Sequence, residues 1–127
     1  MELRLVLTVD DFDGALAFYR DALGLPERES WEATGDARIA ILDAGRATLE
    51  LVNEAQAAAI DAIEVGRRVA GPVRIAFAVD DSVDTALRLV DAGAEQLADP
   101  VVTPWSDRNV RVRLPDGMQL TVSSVVD

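Results

Sequence analysis

The sequence contains no cysteine, no histidine and no lysine. Without cysteine there is no disulfide, thiolate nucleophile, zinc-thiolate site or iron-sulfur cluster, and without histidine there is no imidazole base or imidazole ligand. Missing lysine removes Schiff-base chemistry and the lysine of phosphate-binding loops. Positive charge is scarce as well: 12 arginines face 23 acids, a net charge of -11. Such a surface repels phosphate backbones and anionic membranes, so no nucleic-acid partner is expected. No apolar run approaches the roughly 20 residues of a membrane span, and Met1 leads directly into a strand-like alternation. The expectation is a cytoplasmic protein with no membrane partner.

What is present is a chain of 127 residues, half of them hydrophobic, enough for one compact domain. Leu3, Leu5, Leu7 and Val9 alternate with Arg4, Val6 and Thr8, the period of a half-buried strand. From Asp11 the apolar spacing changes to three and four, predicting a helix that runs to Leu23 and stops at Gly24. Extended stretches follow near 28–33, 37–43 and 47–53, with Gly35 and Gly45 at the turns. An alanine-rich helix over 54–63 leads to Gly66, Gly71 and Pro72. The order then repeats: a strand over 73–79, a helix over 82–92, and strands near 96–102, 109–114 and 118–125. Val9-Asp10-Asp11 with Ala15-Leu16 recurs as Val79-Asp80-Asp81 with Ala86-Leu87. The expected fold class is therefore α+β, one domain over 1–127 made of two βαβββ modules, approximately 1–64 and 72–127. The acidic runs at the two helix starts are read as N-caps, since they lack the spacing of a calcium loop.

Several longer motifs lie on this framework: Leu7-Thr8-Val9-Asp10-Asp11-Phe12, Ala17-Phe18-Tyr19-Arg20, Leu23-Gly24-Leu25, the stretch from Arg74 to Asp81, Pro104-Trp105, and Leu114-Pro115-Asp116-Gly117. In these the chain resembles, over its whole length, the vicinal oxygen chelate superfamily of glyoxalases, extradiol dioxygenases, epimerases and bleomycin-type drug-binding resistance proteins. The resemblance implies tandem βαβββ modules whose mixed sheet curls into a cup, completed in a homodimer. It also implies four cup positions that hold a divalent cation in metal-using members, which fall here on Arg4, Glu50, Arg74 and Thr121. Of these only Glu50 is a plausible ligand. Two guanidiniums repel a cation, so no metal and no cofactor are expected.

Arg4 and Arg74 admit two readings: a fork for a ligand's carboxylate or polarised oxygen, or an Arg-Glu-Arg cluster with Glu50. If the cluster forms, it holds the Glu50 carboxyl below its ordinary range, and Glu50→Gln costs on the order of 3 kcal/mol. Trp31 and Trp105 are candidate aromatic walls at the cup mouth, whereas Phe77 and Tyr19 are read as core. Arg38 and Arg111 are taken as solvated strand arginines, with Arg111 kept as a candidate ligand contact. The leading functional expectation is a metal-free protein that binds a small molecule, cationic or planar aromatic, in the manner of proteins that sequester an antibiotic or other natural product. The alternative is a lyase, isomerase or dioxygenase-like enzyme using Glu50 as base or metal ligand, with Asp36 and Tyr19 as remoter acid-base candidates.

Overall fold

A computed structural model describes all 127 residues apart from the side chain of Thr34. The first strand, β1 (Glu2–Thr8), ends where the Asp11 side chain accepts a hydrogen bond from the Gly14 backbone N–H at 2.9 Å and caps α1 (Phe12–Leu16). The expected single helix to Leu23 is not uniform. After Leu16 the chain widens into a π-helical turn, Ala17–Ala22, and leaves through Gly24 at a φ of 86°. Then come β2 (Glu27–Glu32), β3 (Arg38–Ala44) and β4 (Ala47–Val52), followed by α2 (Glu54–Glu64), capped by the Asn53 side chain on the Gln56 N–H.

The second half runs β5 (Val73–Ala78), α3 (Ser82–Asp91), β6 (Glu95–Gln96), β7 (Val101–Val102), β8 (Asp107–Arg113) and β9 (Gln119–Val125). The expected strand over 96–102 is broken into two short pieces, both paired to β8. Pro100 lies in the gap, and a proline has no N–H to offer a ladder.

All nine strands form one mixed sheet in the order β2-β3-β4-β1-β5-β9-β8-β6, with β7 beside β6 on β8. β1 runs parallel to β4, β5 parallel to β9, and β1 meets β5 antiparallel at the centre. Parity along the strands decides which residues face the concave side. Arg4, Val6 and Thr8 line the cup, as do Arg74 and Ala76, while the odd-numbered residues of β1 and β5 face outward. On the outer face α1 packs with Leu42, Leu49 and Leu51, and α3 packs with Val110, Val112, Leu120 and Val122. On the inner face the cover comes from α2, the helix that joins the two halves. It seats Ala57 against Val6, Ile39 and Val52. Fully burying an aliphatic side chain of this kind is worth about 1.5–3 kcal/mol, so α2 is held across the cup by apolar contact as well as by the ion pairs described below.

Candidate functional site

Between α2 and the concave sheet lies a cavity of about 460 Å³. Its apolar lining includes Val6, Ile39, Ile41, Val52 and Ile60, and Trp31 and Trp105 also border it while remaining 43% and 48% exposed. The tryptophans therefore stand where the cavity meets solvent. Trp31 comes from edge strand β2 and Trp105 from the turn between β7 and β8, so opposite halves of the chain supply the two rings.

Across the cup floor, Val6 is the cross-strand partner of both Glu50 and Arg74. The three residues share one rung of three adjacent strands, which sets the Glu50 and Arg74 backbones about 10 Å apart with Val6 between them. The expected Arg4-Glu50-Arg74 cluster is absent among the described residues. Arg4 turns along its own strand instead, and its Nε donates to Glu2 at 3.1 Å. Arg74 turns the other way, and its Nη1 donates to Thr121 Oγ1 on β9 at 2.8 Å. Among the described residues Glu50 has no hydrogen-bond or ion-pair partner. Burial pushes its carboxyl above the ordinary range, and the attraction of Arg74 and Arg4 does not offset that penalty. The depressed acidity expected from two flanking arginines is thus reversed, because neither guanidinium comes close enough to pair. Burial likewise pulls the Arg74 guanidinium below its ordinary value, although it remains a cation at any accessible pH.

Arg111 is the larger surprise. Read from the sequence as a solvated arginine, it is 0% exposed and is absent from the cavity lining. Its register partner Thr121 faces the cup, so Arg111 does too, and α2 lies on top of it. Arg111 Nη1 donates to Asp61 at 2.8 Å and to Gln119 at 2.9 Å, and Nε donates to Glu64 and to Thr121, both at 3.1 Å. Thr121 Oγ1 in turn donates to Glu64 at 2.8 Å. Burial by itself raises the Asp61 carboxyl, but the backbone N–H groups of Ala70 and Val69, together with Arg111, outweigh it and hold the group below its ordinary value. The sequence did carry a signal for this cluster. Asp61 and Glu64 lie three apart on an alanine-rich helix, and Arg111 interrupts a valine pair at a core-like position.

These contacts decide whether the four positions that the resemblance assigns to a metal suit a cation. Arg4 and Arg74 are cations themselves, and the Thr121 hydroxyl already accepts from Arg74 and Arg111 while donating to Glu64. Only Glu50 has a free donor atom. The set does not fit a divalent ion, and no group of three acidic side chains among the described residues replaces it. Of the other acid-base candidates, Asp36 is exposed at the end of a short 3-10 turn, Thr34–Asp36, with a φ of 62°, and Tyr19 packs on the outer core, as does the aromatic Phe77. None of the three lines the cavity.

The family model described as Glyoxalase/Bleomycin resistance protein/Dioxygenase superfamily matches residues 3–122. No curated protein sequence matches the chain. Among solved structures, a hypothetical protein, BH1468, from Bacillus halodurans C-125 is similar at a TM-score of 0.70 and 16% identity, over 98% of this chain and 93% of its own. A glyoxalase/bleomycin resistance protein/dioxygenase superfamily member from Vibrio splendidus 12B01 is similar at a TM-score of 0.67 and 13% identity, over 97% of each chain. Methylmalonyl-CoA epimerase from Streptomyces coelicolor, in complex with 2-nitronate-propionyl-CoA, is similar at a TM-score of 0.68 and 20% identity, over 98% of this chain and 96% of its own. At these identities the likeness is one of fold.

Proposed function

The chain belongs to the Glyoxalase/Bleomycin resistance protein/Dioxygenase superfamily, and from that premise we propose that it binds a small molecule in the cup without a metal ion, as a cytoplasmic protein of the sequestering, drug-resistance type. The observation that carries this reading is the cavity itself, with apolar side chains around a few polar ones, roofed by α2 and bordered by two half-exposed tryptophans. Binding of this kind needs contact area and a few directed polar groups and no reactive side chain. A planar aromatic or cationic compound screened by tryptophan fluorescence should give a saturable change with no product formed. Ala57→Phe, which fills the space beneath α2, should abolish that change. A signal unaffected by Ala57→Phe places the ligand elsewhere and overturns the reading.

One observation favours the enzymatic alternative. A partly buried, unpaired carboxyl whose acidity is weakened is better matched to taking a proton at neutral pH than an ordinary glutamate. Turnover of a cup ligand that is lost in Glu50→Gln would establish Glu50 as a general base.

We also propose that two copies associate through the outer face of the sheet centre. Leu3, Leu5 and Val73 are 39%, 37% and 39% exposed there, beside Ile75 and Phe77, in the strip between the two outer helices. For a protomer of net charge -11, an apolar strip is the part of the surface on which a second copy meets least repulsion.

A further inference from the structure

Two side chains of the cup floor have binding capacity that the protein leaves unused. Arg74 is nine-tenths buried and lines the cavity, yet Thr121 is its one hydrogen-bond partner among the described residues, which leaves most of its five N–H groups free. Glu50 lines the same cavity with a carboxylate that accepts nothing. Buried polar groups are ordinarily satisfied, and a buried cation ordinarily has an anion against it. Glu64 attracts Arg74 most strongly but is engaged by Arg111 and Thr121, and Glu50 stands across Val6 from Arg74 without pairing with it.

We propose that the cup takes a small amphoteric ligand, an α-amino acid or its amide with an aromatic or aliphatic body, whose carboxylate or carbonyl oxygen accepts from Arg74 and whose N–H group donates to Glu50. The inference rests on the cup-binding reading above and narrows it. An α-amino acid carries its acceptor and donor on neighbouring atoms, so one molecule laid over Val6 can face both strands at once. Guanidinium matches a carboxylate as a fork, and Glu50 supplies the complementary acceptor for an ammonium or amide N–H. The apolar body then lies toward Ile39, Ile41 and Trp31.

The remaining charges argue against simpler ligands. Five carboxylates, those of Glu29, Glu50, Asp61, Glu64 and Asp107, line the cavity against the two guanidiniums of Arg4 and Arg74. Arg4 is already engaged by Glu2, and Asp61 and Glu64 by Arg111. A polyanion such as a phosphate ester meets one free cation inside a negative wall. A plain cation satisfies Glu50 but leaves Arg74 as it was, and a plain carboxylate does the reverse.

Calorimetric titration of the intact protein with four matched probes separates these cases: L-phenylalanine, phenethylamine, 3-phenylpropionate and 2-phenylethanol. L-phenylalanine should bind at least tenfold more tightly than any of the other three. Arg74→Gln should erase its advantage over phenethylamine, and Glu50→Gln its advantage over 3-phenylpropionate. The comparison among probes on the unaltered protein stands even if a variant fails to fold. Binding of 2-phenylethanol as tightly as L-phenylalanine overturns this inference but leaves the cup as a binding site. Failure of all four overturns this inference, and if the aromatic screen fails too, the cup-binding reading falls with it.

Discussion

Glu50 holds a charge where the fold makes charge costly, and the sign of the effect on stability follows from the direction of its shift. A carboxyl whose folded pKa is raised binds more protons in the folded than in the unfolded state over the interval between the ordinary value, about 4.5, and the raised one. Folding stability therefore falls as pH rises through that interval and stays lower above it. Glu50→Gln should be more stable than the parent at pH 7, with the gain vanishing below about pH 4, and melting temperatures of the two proteins across that range check it. A Gln variant less stable at pH 7 would mean that an arginine does pair with Glu50. Arg111 is the opposite case, since its removal leaves the buried Glu64 carboxylate without its ion pair and Asp61 with Arg68 alone. Arg111→Met should cost about 3 kcal/mol or more, and adding Glu64→Gln to the same chain should recover part of the loss, because breaking a buried pair is worse than removing it. Chemical denaturation of the single and double variants measures both. The donor set at the four positions that the resemblance assigns to a metal gives a further expectation: elemental analysis of protein purified without a histidine tag should find no stoichiometric zinc, nickel, iron or manganese, and about one ion per chain lost in Glu50→Ala would overturn it.

At the scale of elements, α2 is the piece that turns an open cup into a cavity. Its N-terminus is fixed by Asn53, whose side chain accepts from the Gln56 N–H at 2.9 Å and from the Arg38 N–H at 3.0 Å and donates to the Asp36 carbonyl at 2.6 Å. Asn53→Ala removes the cap and the tie to β3 together, so a loss of about 1–2 kcal/mol is expected. Loosening of the roof should show as faster amide exchange over residues 54–64 than over α3. The element pattern also shows what a sequence can disclose. β1 and β9 were legible because one of their faces is more apolar than the other, β5 because Gly71 and Pro72 precede a largely apolar run, and α3 because Asp81 and Gly93 bracket an amphipathic run. The widening after Leu16 was not, since a π turn keeps much the same side-chain spacing as the α-helix it interrupts. Glu50 and Arg74 could be assigned to the cup from parity, but their failure to meet depends on which way each side chain bends. The ties from Asp61 and Glu64 to Arg111 link positions about 50 residues apart, and no local period records such a contact.

The whole molecule is organised about the antiparallel pair at its centre. Leu5 faces Ile75 across that pair, 70 positions further along the chain, and Leu3 faces Phe77 while Leu7 faces Val73. Since Val9-Asp10-Asp11 recurs as Val79-Asp80-Asp81 at the same offset, an approximate dyad within the chain runs through the Leu5 and Ile75 rung, and the apolar strip is centred on it. A second copy set on that strip buries apolar area on both sides and leaves both cups open on the far faces. The association this geometry predicts has a distinctive salt dependence. Two protomers of charge -11 repel one another at long range, whereas the contact itself is apolar, so added salt should strengthen the dimer by screening the repulsion. Sedimentation equilibrium at about 0.01 M and 0.15 M salt should show the shift toward dimer. Leu5→Glu places a carboxylate in the middle of the apolar strip, where covering it with a second copy would strip it of water, and should leave monomer at both salt concentrations. Because Leu5 points away from the cup, ligand binding followed by tryptophan fluorescence should be unchanged in that variant. A dimer that survives Leu5→Glu, or that weakens as salt is added, would move the contact to another surface.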